Sequence, residues 1–130
     1  SRSRSPPCCS PAGSVATRRF FGRRALPERV IVLHATFPID PERREDALDL
    51  ADHLVEESNR EDGVVDYRAA VDVQDENRIR FFEQYEDEAA VEAHENSDHF
   101  QRFEEALPEL LAGEPEVLRF EVSDVAEPDL

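Results

Sequence analysis

The segment Val30-Ile31-Val32-Leu33-His34-Ala35-Thr36-Phe37 constrains the fold more than any other part of the chain. Apolar or β-branched side chains fill both phases of a two-residue period, and Pro38 stops the run. A strand that is apolar on both faces must be covered on both. The rest of the chain offers only a few elements to do this. Asp40 is a candidate N-cap and Pro41 a first helical residue, after which Ala47, Leu48, Ala51, Leu54 and Val55 keep helical spacing to about Asn59. Beyond Gly63, the residues Val65, Tyr67, Ala69, Val71 and Val73 alternate with Asp66, Arg68 and Asp72. The polar tip Gln74-Asp75-Glu76-Asn77 then leads into a second strand over Arg78–Tyr85. Helical spacing returns at Ala90, Val91 and His94 and breaks at Asn96-Ser97. It resumes at Phe100, Phe103, Ala106 and Leu107, to end before Pro108, and Glu116–Val122 makes a last strand.

The order strand, helix, strand, strand, helix, strand predicts an α+β fold: a ferredoxin-like βαββαβ antiparallel sheet with helices on one face. No further element remains for the other face. The expectation is therefore a homodimer in which two copies pack their bare sheet faces together.

Charge divides the chain. Residues 1–28 hold six Arg against the single acid Glu28, so the remainder carries the net charge of −16 and offsets five positive charges besides. This arm, rich in Ser, Pro and Arg, reads as disordered: an extension, a tag or a targeting segment. Thr17-Arg18-Arg19-Phe20-Phe21 resembles a twin-arginine signal, but Gly22-Arg23-Arg24 stands where the apolar region should begin. The folded domain is expected over 29–123, and 124–130 is an acidic tail. So acidic a domain repels nucleic acid and anionic membrane surfaces, which excludes both as partners. All 15 basic residues are Arg, and with the acid excess this suggests a halophilic protein whose self-repulsion is screened by salt. Cys8 and Cys9 are too few and too close for a disulfide framework or a zinc site. The domain itself has no cysteine, as suits a cytoplasmic protein, and no apolar run is long enough to span a bilayer.

Candidate site residues are few. His94 continues the apolar stripe of Ala90 and Val91 and so points at the core or a pocket, while His34 is either a half-buried strand residue or a pocket base. His99, just past the cap at Ser97, lines the pocket, fixes the helix junction or meets a partner subunit. Tyr67, Tyr85, Phe82 and Phe100 are core residues or pocket walls. His53 lies off its helix's apolar stripe and reads as solvated. Carboxylate pairs such as Glu56-Glu57 and Glu104-Glu105 are too common in this chain to mark acid–base work.

Four segments together resemble the antibiotic biosynthesis monooxygenase domain, especially its small quinol-monooxygenase-like members. They are Val30–Phe37, Arg60-Glu61-Asp62-Gly63-Val64-Val65-Asp66-Tyr67, Phe82-Glu83-Gln84-Tyr85-Glu86-Asp87-Glu88-Ala89-Ala90 and Glu92-Ala93-His94-Glu95-Asn96-Ser97-Asp98-His99-Phe100. The resemblance implies a dimeric α+β barrel with a pocket between sheet and helices. It also implies oxidation of a quinol or related phenol by O₂ with no metal, flavin or haem. That chemistry needs a base to form the phenolate, an apolar cavity and donors for the oxygens. His34 and His94 are the implied catalytic residues, with Tyr85, Tyr67, His99, Phe82 and Phe100 around the substrate. The haem-degrading members hold iron through a histidine where this chain has Glu104; they carry Asn at His34 and Trp at His94, so the resemblance does not extend to haem. Monooxygenase members often carry Trp where Tyr85 stands. The alternative is a dimeric small-molecule-binding or stress protein of the same fold without turnover.

Overall fold

The computed structural model describes residues 30–129; the expectations for the arm at 1–28 lie outside them. The elements are β1 (Val30–Pro38), a 3₁₀ turn (Pro41–Arg43), α1 (Arg44–Ser58), β2 (Val64–Asp72), β3 (Asp75–Tyr85), α2 (Glu88–Glu95), α3 (Asp98–Leu110) and β4 (Glu116–Val122). The sheet order is β2-β3-β1-β4, all pairs antiparallel, which is the ferredoxin-like order. Among the described residues no helix is long and apolar enough to cross a membrane.

Register assigns the faces. Ile31, Leu33, Ala35 and Phe37 on β1 pair with Tyr85, Glu83, Phe81 and Ile79 on β3, and Tyr67, Ala69 and Val71 on β2 join the same phase. This face meets the helices. Phe37, Phe81 and Phe103 pack edge to face there, with ring centroids 5.4, 5.5 and 5.6 Å apart, each pair adding about 1 kcal/mol beyond area burial. The other phase, with Val32, His34, Phe82, Leu118 and Phe120, has no helix against it: Phe82, Leu118 and Phe120 are 42, 48 and 47% exposed.

Two boundaries differ from the sequence reading. The α3 helix continues past Pro108 to Leu110, because the buried Leu110 side chain and the Leu111 N–H to Leu107 carbonyl bond hold the last turn despite the missing proline donor. The hairpin also turns earlier, with Asp72 facing Asp75. Val73, in the apolar phase of the sequence, is fully exposed at its tip, since Asp72 Oδ1 caps the Gln74 N–H and closes the turn.

Candidate active site

Local devices at the helix ends and in the turn between α1 and β2 bring a set of polar side chains under the helix face of the sheet. At the end of α1, the Asn59 side chain donates to the carbonyls of Val55 and Tyr67 and accepts the Tyr67 N–H, tying the helix to β2. The turn between them is fixed by bonds from the Glu61 N–H to Ser58 and from the Val64 N–H to Glu61, which sets the direction of the Glu61 side chain. Gly63 belongs to the same turn, and a Cβ there would lie 2.4 Å from the Cβ of Ala90, so only glycine lets α2 come this close. Asp87 caps α2 by accepting the Ala90 N–H at 2.9 Å. Ala90, Val91 and His94 then fall on the buried side of the helix. Ser97 caps α3, and its hydroxyl donates to the His94 carbonyl at 2.6 Å, locking the junction next to the histidine.

The result is two linked clusters. In the first, one carboxylate oxygen, Glu61 Oε2, lies 2.8 Å from His94 Nδ1 and 2.6 Å from His99 Nε2. An ionised carboxylate only accepts, so both ring nitrogens carry their protons toward it. This places the lone pair of His94 on Nε2, which is buried and has no hydrogen-bond partner. His94 is 1% exposed, packed among the rings of Phe100, Tyr67 and Tyr85 at centroid distances of 5.0, 5.1 and 5.6 Å. Burial pushes its pKa below the usual imidazole value, and the Glu61 contact opposes this only in part. The ring is neutral at pH 7.

In the second cluster, Glu83 is 8% exposed on β3, and Tyr85 donates its hydroxyl to Glu83 Oε1 at 2.6 Å. Burial pushes the Glu83 carboxyl up to about 7, against the lowering effect of the hydrogen bonds from Tyr85 and Tyr67. Both phenols are held well above their usual range, first by burial and then by the carboxylate they face.

The structure therefore brings together His94, His99, Tyr67, Tyr85 and Phe100. His34 and Phe82 do not join them. Their side chains pair across β1 and β3 on the open face, in the phase opposite Ala35 and Phe81, so the sheet separates them from His94. The expectation that His34 and His94 share a cavity is not met. The sequence reading does not single out Glu61 or Glu83. Glu83 had a signal: it follows Ile79 and Phe81 and precedes Tyr85 in the buried phase, where a carboxylate is anomalous. Glu61 had none, because its partners lie 33 and 38 residues away.

The family model for antibiotic biosynthesis monooxygenase matches residues 30–106, which include Glu61, Glu83, His94 and His99. YcnE of Bacillus subtilis (strain 168) is 38% identical over 95 residues, 73% of this chain and the whole of YcnE. Among solved structures, PA3566 of Pseudomonas aeruginosa is 30% identical, with a TM-score of 0.65 over 75% of this chain and 95% of that one. A crystal structure of an antibiotic biosynthesis monooxygenase is 26% identical, with a TM-score of 0.67 over 75% of this chain and 99% of the other.

Proposed function

The chain belongs to the antibiotic biosynthesis monooxygenase family, and on that premise we propose that it oxidises a quinol or related phenol with O₂, using His94 as the base. The observation that supports this reading best is the unpartnered Nε2 of His94, a buried acceptor whose tautomer is fixed from the other side by Glu61. A buried acceptor without a partner costs about 1–3 kcal/mol, and a phenolic hydroxyl donating to it removes that cost. Proton transfer to Nε2 gives the phenolate. This electron-rich ring reduces O₂, combines with it at carbon, and the resulting hydroperoxide loses water to leave a quinone. Loss of water takes the proton from that ring carbon and delivers one to the leaving oxygen, and Glu83, its carboxyl raised to about 7 beside Tyr85, is the group assigned in this reading to carry it. Phe100, on the first turn of α3, packs on the His94 ring at a centroid distance of 5.0 Å and forms part of the wall a substrate would meet there.

Oxygen uptake with menadiol as substrate, corrected for autoxidation, tests the proposal. His94→Gln and Glu61→Gln are expected to lower the enzymatic rate by roughly a hundredfold or more. Rates equal to the native rate in both variants reject the base assignment. The closure of the site over His94 favours a second reading, a binding protein without turnover. It would show as a quinol-induced rise in melting temperature with no oxygen uptake above background.

A further inference from the structure

We propose that Glu61, His94 and His99 form a binding site for a borderline divalent metal ion, of the zinc or cobalt kind, bordering the depression beside Glu61. Their donor atoms, a carboxylate oxygen and two imidazole nitrogens, all lie within 4.8 Å of one another. Two imidazoles and one carboxylate suit such ions and leave a coordination position open. Each ligand comes from a separately fixed element: the turn after α1, the last turn of α2 and the first turn of α3. The donors need little rearrangement. A tetrahedral site spaces its ligand atoms roughly 3.3 Å apart, and the two Glu61 contacts are 2.8 and 2.6 Å. A small retreat of the carboxylate, whose side chain is 17% exposed on its turn, opens the space. On the Glu61 side the cluster borders an open depression walled by Glu61, Gly63, Ala93 and Ser97, which neither histidine lines.

His53, Glu56 and Glu57 also place donors within 4.8 Å, but all three come from α1 and none is buried. That group is an internal control. The inference goes beyond the proposed oxidation and constrains it. A metal on Nδ1 of His94 displaces that proton to Nε2, the tautomer that cannot act as base, so metal and phenol oxidation exclude each other at this site.

The test is a Co²⁺ titration of the full chain carrying Cys8→Ser and Cys9→Ser, so that neither thiol contributes, followed by visible d–d absorption and calorimetry. One Co²⁺ per chain is expected, displaced by Zn²⁺ and not by a large excess of Mg²⁺. His99→Gln, which changes a half-buried ring and spares the core, is expected to weaken binding at least about tenfold, and Glu61→Gln likewise. His53→Gln is expected to leave it unchanged. Binding undiminished in His99→Gln, binding lost in His53→Gln, or displacement by Mg²⁺ overturns the proposal. Because binding is read without turnover, failure of the quinol assay leaves this result standing.

Discussion

Glu83 occupies a strand position whose in-phase neighbours, Phe81 and Tyr85, are almost wholly buried, and its carboxyl titrates near 7 rather than at the ordinary value of 4.5. The folded state therefore keeps a proton between about 4.5 and 7 that the unfolded chain has lost. Stability from this group is complete below that window and declines as pH rises through it, by up to about 3 kcal/mol. Glu83→Gln keeps an acceptor for the Tyr85 hydroxyl and cannot titrate. Denaturant unfolding at about pH 5 and pH 7.5 should show this decline in the native chain and lose it in the variant; an identical decline in both would mean that Glu83 does not titrate there. His94 acts in the opposite direction. Its depressed pKa means that the unfolded chain binds a proton the folded state refuses below about 6.5, so its contribution is lost as pH falls. The phase of Glu83 was readable in the alternation of β3, yet the abundance of carboxylates hid it. The partnership of Glu61 with two histidines depends on contacts across more than 30 residues, and no local pattern encodes those.

The break between α2 and α3 is fastened in part by one side chain. The Ser97 hydroxyl donates to the His94 carbonyl and also accepts the Phe100 N–H at 3.2 Å, so one side chain ends one helix and starts the next. Ser97→Ala is expected to cost about 1 kcal/mol and to speed amide exchange at Phe100 and Gln101 more than in α1. Equal exchange in the two helices would show that packing alone holds the junction. The cap was legible from sequence, because Ser97 sits between two helical periods. The extension of α3 past Pro108 was not, since the burial of Leu110 outweighs the missing donor only in the folded context. Strand β1 shows the same limit in another form. Its apolar residues fill both phases, so periodicity cannot say which phase faces the helices, and the side of the sheet on which His34 lies is set only by the register with β3.

For the whole molecule, the open face of the sheet carries a group of exposed large apolar side chains. Val32, Phe82, Leu118 and Phe120 lie on it around His34, and we propose that a second copy covers them. Light scattering after size exclusion should give a dimer at micromolar concentration, and Leu118→Asp with Phe120→Asp a monomer that still folds. A native monomer, or an unaffected dimer in the double variant, removes this step. The acidity belongs to the same scale. A chain of net charge −16, still more negative beyond its basic arm, repels itself when compact. Melting temperature is expected to rise in molar KCl, and no gain over dilute buffer would count against adaptation to salt.

The sequence by itself determined the element order, the caps at Asp40 and Ser97, the alternation of β2 and β3, and the strongly negative net charge. These follow from local backbone preference, period and simple counting, all of which act over a few residues or over none in particular. Only the tertiary structure decided that Glu61 would hold His94 and His99, that Glu83 would be a buried acid between two phenols, and that His34 would lie beyond the sheet from them. The physical reason is that side-chain function here depends on which face of a doubly apolar strand the helices cover, and on hydrogen bonds between segments brought together only when the core closes.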